Sequence, residues 1–435
     1  MLETQISEIR PEMSFEVLSN PEFLSEGEAV KNLLNPDRVL IGSSMTSTGH
    51  TAALALINVY SSWVASAKIQ MMSSLSAELA KLAANAMLAQ RISSINAISA
   101  ICEQTGADIS DVQVAIGSDS RIGSDYLRAG MGFGGSCFKK DILNLVDLAE
   151  SLDLPGIGEY WSQVLRINHV QSRRFVQRVV SKLDGSLSDK KIAILGWAFK
   201  KGTSDSRETR SAHILKELLK KSVSEITVFD PRCNSTDIEK EVHSIQKLID
   251  RKSARPGTSI VVHESPYTAC QGADGILILT DWDLFKCLPK PTGPSIVPPE
   301  AARDAEIFGS DSYFSWTDRR QSDVGLSLSK LSILDSDRTN DRSNCTRDSI
   351  RRLKPDLPCP SNCQSCRRKA SLEDTDNQID WERISAAVKS PRWVFDGRNV
   401  VDIGEMEKLG FRVEAIGKVS AWGPSRALGR NEIKV

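Results

Sequence analysis

The hydrophobic positions of this chain fall into two regimes. Up to about Leu183 most of them recur at helical spacing. Beyond Lys190 short unbroken apolar runs alternate with helical stretches. Near the start, Phe15-Glu16-Val17-Leu18 and Arg38-Val39-Leu40-Ile41-Gly42 predict two short strands. The loop SNPEFLSEG (19–27) lies between them, its start marked by Asn20-Pro21. Residues 47–65 predict an amphipathic helix ending near Trp63. From Ser76 to Gln104, Leu79, Leu82, Ala83, Ala86, Ala89, Ile92, Ile95 and Ile98 recur at helical spacing and predict a long helix. A shorter helix follows at Asp108–Gly117. Ile142, Leu143, Leu145, Val146 and Leu148 predict another behind Cys137, and one more runs from Pro155 to about Leu183.

The second regime opens with Lys191-Ile192-Ala193-Ile194-Leu195-Gly196, a buried strand. The helix HILKELLKK (213–221) and the strand EITVFDP (225–231) follow it. Next come a short helix at Tyr267–Gln271 and a strand at Gly275–Thr280. Strands alternating with helices predict a parallel α/β sheet. Residues 289–390 are poor in aliphatics and rich in Ser, Asp, Arg and Pro, and predict a long, partly disordered insertion. The pattern resumes at Arg392–Arg398 and ends near Phe411–Ile416.

Composition narrows the class. The chain has 435 residues, 40% of them hydrophobic, which suits two or three domains. A net charge of −1 offers nothing to nucleic acid or an acidic membrane surface. The polar start MLETQISEIRPEM has no signal-peptide core. The longest apolar stretch, Ala52–Val64, is broken by Asn58, Ser61 and Ser62, so no membrane span is expected. Nine cysteines without a secretory signal read as reduced thiols, which predicts a cytoplasmic protein.

Candidate chemistry gathers at GMGFGGSCFKKD (130–141). Its glycines let backbone approach a ligand closely. Cys137 falls at the start of a predicted helix, where the macrodipole favours a thiolate, and Lys139 and Lys140 act the same way. Asp141, one turn on, is placed to position water or a proton. The alternative is a glycine turn with a packing cysteine. Gly130, Gly132 and Gly135 spell GxGxxG, but no buried strand precedes them, so a dinucleotide site is rejected. Glu22 and Glu26 share a face if 22–26 is a helical turn. They are then either paired carboxylates or a solvated turn. Lys81 and Asn85, four apart on the long helix, suit an oxyanion, a phosphate or a sugar hydroxyl, or simply face solvent. Lys200, Lys201, Arg207 and Arg210 follow a sheet strand, where open α/β sheets bind ligands. A solvated basic loop is the alternative. Cys345, Cys359, Cys363 and Cys366 lie in the insertion, as a weak candidate zinc set or as free thiols.

Seven motifs, in order, carry a resemblance: SNPEFLSEG (19–27), NPDRVLIG (35–42), AELAKLAANAMLAQRISSIN (77–96), GFGGSCFKKD (132–141), AILGWAFKKGTSDSRET (193–209), VFDP (228–231) and VFDGRNVVD (394–402). Together they resemble the UDP-glucose/GDP-mannose dehydrogenase family, with wording like its eukaryotic UDP-glucose 6-dehydrogenases. GDP-mannose dehydrogenases share the cysteine loop and are the less similar branch. The resemblance implies an NAD-dependent, four-electron oxidation of UDP-glucose to UDP-glucuronate. Cys137 would be the nucleophile, forming a thiohemiacetal and then a thioester. Asp141 and Lys81 would assist proton transfer and stabilise an oxyanion, and Glu22 would handle water. Substrate would be held by Phe23, Leu24, Asn85, Tyr126, Leu127, Arg128, Gly130, Gly132, Phe133, Gly134, Phe199, Lys200 and Arg398, with Arg121 arriving from a neighbouring subunit. Glu26 and Arg207 would lie near NAD.

The implied architecture is α/β. It comprises a remnant of the NAD-binding domain (1–72), a central helical domain (73–185) through which a homo-oligomer forms, and a Rossmann-like UDP-binding domain (186–288 with 391–420). The polar insertion (289–390) and a tail (421–435) complete it. The family's glycine fingerprint and acidic ribose anchor do not occur in this sequence. The alternative expectation is therefore a catalytically impaired UDP-sugar-binding or oligomerising remnant.

Overall fold

A parallel β-α-β unit lies near the start of the described residues. The computed structural model describes residues 15–250, 257–287 and 378–422. After α1 (Ala29–Leu34), β1 (Val39–Ser43) is buried along its whole length and pairs in parallel with β2 (Ile69–Ser73). Parallel neighbours need a crossover, and α2 (Ser47–Tyr60) supplies it. Thr46 caps α2 by accepting from Gly49 N. Ala53 packs on Val39, Ile41 and Val64 in a small core of its own. Phe15–Leu18, expected as a strand, is irregular; the next residue, Ser19, makes an antiparallel bridge to Gly42. β2 carries little strand signal in its sequence, because IQMMS is half exposed and has no clean alternation.

The long helix is α3 (Ser74–Thr105), 32 residues, or about 48 Å at the ordinary helical rise. Ser73 caps its start, and Gly106, at φ +88°, ends it. Its buried face is narrow-waisted: Ala77, Ala86, Ala89 and Ser93 let neighbouring helices come close. α4 (Ile109–Gly117) follows. Then α5 (Ser136–Ser151) and α6 (Pro155–Lys182) pack against α3 and each other.

Six strands build the second sheet: β3 (Lys191–Leu195), β4 (Glu225–Phe229), β5 (Ser259–Val262), β6 (Gly275–Ile278), β7 (Trp393–Asp396) and β8 (Arg412–Ala415). Their order is β5-β4-β3-β6-β7-β8, all parallel. The order reverses between β3 and β6, which opens a crevice at their carboxyl ends. Helices α7 (Arg210–Leu219), α8 (Ser235–Asp250), α9 (Pro266–Cys270), α10 (Trp381–Ala387) and α11 (Ile403–Lys408) complete the region. α10 falls inside the stretch read as polar insertion, yet its Trp381 and Ile384 are buried in the main core. The fold is thus α/β, with parallel sheets around a helical centre. The four insertion cysteines lie outside the described residues. Among the described residues no helix is long and apolar enough to cross a membrane, and no His/Cys/Asp/Glu group is arranged to hold a metal.

Candidate functional site

The turn Gly130–Gly135 is clamped from three sides. From α3, Asn96 Oδ1 accepts Gly130 N at 2.8 Å. From α6, Asn168 bonds Phe133 in both directions, Gln171 Nε2 donates to Gly130 O, and Ser172 Oγ donates to Met131 O. From the sheet side, Gly397 O accepts Met131 N, and Arg398 Nη1 reaches Gly132 O at 3.2 Å. All four helix side chains are buried. Nothing in the sequence marks them, because one polar residue on a helix face looks like any other. Gly132 has φ +117°, and a Cβ there would sit 2.5 Å from Asn168 Oδ1. Only glycine fits.

α5 springs directly from this turn, with Cys137 exposed at its second residue. One turn on, Asp141 is buried and accepts from Asn85 Nδ2 at 2.6 Å; Lys140 Nζ is 3.5 Å away. The α3 residue one turn before Asn85 is Lys81. Its ammonium donates to the Glu22 carbonyl, lies 3.4 Å from the Glu22 carboxylate and stands 5.1 Å over the Phe23 ring. The pairs Lys81/Asn85 and Cys137/Asp141 are therefore joined across α3 and α5.

Residues 22–26 are not a helical turn. Pro21 through Ser25 are irregular, and Glu22 folds back to accept from Leu24 N at 2.7 Å. The expected shared face of Glu22 and Glu26 does not exist. What fixes the loop is Gly27, at φ +84°, whose missing Cβ would meet Gly202 O at 2.6 Å. That contact ties the loop to the turn after β3. There Phe199 packs on Gly134 and Gly135, and Lys200 Nζ lies 5.8 Å from the Phe199 ring centre. Arg207 is held by Asp205 through Nε and Nη2 at 3.0 and 2.7 Å. Asp205 holds the Arg207 guanidinium above its usual pKa, and Glu26 and the Cys137 sulfur are close enough to add to the effect. Arg207 is thus within electrostatic reach of both Glu26 and Cys137.

Arg398 follows β7, its Nε donating to Leu279 O. The turn beneath it is organised by Asp396, fully buried and accepting from the backbone of Arg398, Val400 and Val401. Burial raises the Asp396 carboxyl pKa against those bonds. Asp230 does similar work after β4, accepting from Trp197 N, Ala198 N and Trp282 Nε1. Leu127 is buried and Arg128 exposed, on the approach to the turn. Tyr126 stands edge-on to Phe138 at 6.3 Å, and Phe133 likewise at 5.5 Å. Arg121 stands apart. Its side chain is 87% exposed and paired with Asp119.

Three models of one family match the chain in sequence. Its NAD binding domain matches residues 1–64, its central domain 75–170 and its UDP binding domain 193–306, all of the UDP-glucose/GDP-mannose dehydrogenase family. Similar proteins include UDP-glucose 6-dehydrogenase of Mus musculus, 49% identical over 277 residues, covering 64% of this chain and 55% of the mouse protein. UDP-glucose 6-dehydrogenase 2 of Arabidopsis thaliana is 49% identical over 283 residues, covering 63% of this chain and 58% of the plant protein. The chain thus spans little more than half the length of these relatives. Among solved structures, a UDP-glucose dehydrogenase from Pyrobaculum islandicum is 33% identical, with a TM-score of 0.55, covering 65% of this chain and 59% of that one. A UDP-D-ManNAc dehydrogenase from Pyrococcus horikoshii is 19% identical, with a TM-score of 0.58, covering 96% and 68%. It shows the shared fold.

Proposed function

We propose, from the premise that this chain belongs to the UDP-glucose/GDP-mannose dehydrogenase family, that it oxidises carbon 6 of UDP-glucose to a carboxylate through Cys137. One observation carries the reading. Cys137 heads α5 one turn from buried Asp141, whose carboxylate is bonded to Asn85 beside Lys81. The uridine diphosphate would lie along Gly130–Gly134 toward Phe199, Lys200 and Arg398, with Phe23 and Leu24 closing over the sugar. A second copy, docked through α3, would bring Arg121. Leu75, Leu79 and Met87 leave α3 with exposed apolar surface for that contact.

Two hydrides leave carbon 6 in all, and NAD, when bound, is their acceptor. Arg207 and Glu26 would lie against it, because the Arg207 guanidinium is exposed and feels the charges of both Glu26 and Cys137. The Asp141 carboxylate takes the proton released from the hydroxyl, and the Lys81 ammonium stabilises the developing negative charge on that oxygen. The Cys137 thiolate then adds to the aldehyde carbon. A C–S bond forms, and the carbonyl electron pair moves to oxygen, where the Lys81 ammonium stabilises it. After the second oxidation the carbon is a thioester. Water held by Glu22 adds to it, losing one proton to the Glu22 carboxylate and the other to solvent, the C–S bond breaks, and the sulfur leaves with its electron pair. The product carboxylate keeps the oxygen of that water.

The test follows NADH absorbance with UDP-glucose and NAD+, beside UDP calorimetry. Turnover that disappears in Cys137→Ala is the expected result. UDP binding without NADH would sink the catalytic half and leave a sugar-nucleotide-binding chain. Neither signal would sink the whole reading.

A further inference from the structure

The clamped turn has a second arginine behind it that the scheme above does not use. Arg210 opens α7 and is only 3% exposed. It presses on the turn: a Cβ on Gly132 would lie 3.3 Å from Arg210 Cδ. A guanidinium carries five donors. Here Nη1 makes a marginal 3.5 Å contact with Ser172 Oγ, and Nε has no hydrogen-bond partner among the described residues. Glu208, the nearby carboxylate, is engaged by Lys139 at 3.1 Å and faces His213 at 3.6 Å. Arg210 also occupies the first turn of α7, where the helix dipole disfavours a cation.

Arg398 Nη1 donates to the carbonyl of the same glycine. Its carboxylate neighbours are Asp281, which also accepts from Lys201 N, and Asp396, which is occupied by backbone N–H groups. The two guanidiniums repel, and burial together with Arg398 pushes Arg210 down to about 10. A buried cation without a committed counter-ion is costly, and an arriving anion removes the cost.

We propose that Arg210 is a positioning residue for a diphosphate: behind Gly132, it keeps the Arg398 side of the turn doubly positive, so that ligands are chosen for their phosphates. The inference rests on the sugar-nucleotide reading above. Arg210 acts through the turn and Arg398 and makes no contact with ligand itself.

The experiment is calorimetry on the full chain with UDP, uridine and inorganic pyrophosphate, for wild type, Arg210→Met and Arg210→Lys. Wild type should prefer UDP to uridine strongly. Arg210→Met should shrink that preference roughly tenfold, the scale of one charge acting across a partly screened gap. Uridine affinity should stay level, and Arg210→Lys should retain most of the preference. A purely structural arginine would weaken uridine and UDP alike, and an unchanged UDP-to-uridine ratio in Arg210→Met overturns the proposal. Millimolar pyrophosphate should also raise the melting temperature of wild type. No rise overturns the proposal even if the methionine variant fails to fold. Wild type that binds uridine and UDP equally would remove the sugar-nucleotide reading and this inference together, whereas a preference intact in every variant removes the inference alone.

Discussion

His213 shows how far a single side chain's behaviour departs from its sequence context. In HILKELLKK it looks like a solvated helix residue. In the fold it is largely buried, with its ring 5.5 Å from that of His169. Burial, then the charges of Arg210, Lys216 and His169, push its pKa down to about 3, against a smaller upward pull from Glu208. The folded protein therefore refuses a proton that the unfolded chain accepts at its ordinary value of 6.5. Between those values the unfolded state binds more protons. The stabilisation is complete above the ordinary value and is lost as pH falls through that window. His169 is shifted in the same direction and adds to the slope. His213→Asn should flatten the fall in melting temperature between about pH 7 and pH 5. An equal fall in variant and wild type would show that carboxylates set the acid limit instead. The same contrast explains which site residues could be read in advance. Cys137 and Asp141 stand out because a glycine run and a helix start frame them. Asn96, Asn168, Gln171 and Ser172 do not, since their work depends on what the turn brings to them.

At the scale of elements, the turn is the feature most tightly specified. Gly132→Ala adds a methyl 2.5 Å from Asn168 Oδ1 at a φ of +117°. Backbone strain alone should cost about 2 kcal/mol, and displacing Asn168 frees two bonds to Phe133. A urea midpoint shift of that order, with UDP binding lost, is expected. A variant as stable as wild type would mean that the turn can swing clear of α6. Element legibility followed burial. β3, β4, β6 and β7 are buried almost throughout and read as unbroken apolar runs. β5 is an edge strand with alternate residues exposed, and four residues are too few to establish alternation. α8 did offer Ile238, Val242 and Ile245 at helical spacing, all buried, but its charged composition masked them. The Glu22/Glu26 spacing misled for the opposite reason. A four-residue interval means a shared face only if the backbone is helical, and Pro21 and Gly27 bound a loop instead.

The whole assembly of described elements holds together unevenly. One core runs from Ile95 and Cys102 of α3 through Phe175 and Val179 of α6 into the six-stranded sheet. Ion pairs reinforce it. Glu103 binds Arg174 and Arg178, and Arg178 with Lys182 binds the almost fully buried Glu414 of β8. Removing one partner from such a buried set leaves the others uncompensated. These elements should therefore unfold as one cooperative unit. The β1–α2–β2 layer is different. Its core of Val39, Ile41, Ala53 and Val64 is small and separate, and Leu54, Val59 and Trp63 of the same layer are exposed. Few buried apolar groups mean a low local opening free energy. Amide exchange should accordingly be faster in β1 and α2 than in β3, β6 and α6. Adding UDP should slow exchange at the turn and along α6, and at Phe23 and Leu24, while leaving α2 nearly unaffected. Uniform protection across both regions would show instead that the β1–α2–β2 layer shares the stability of the main core, and that its small core is reinforced by contacts made through Lys81 and Gly27.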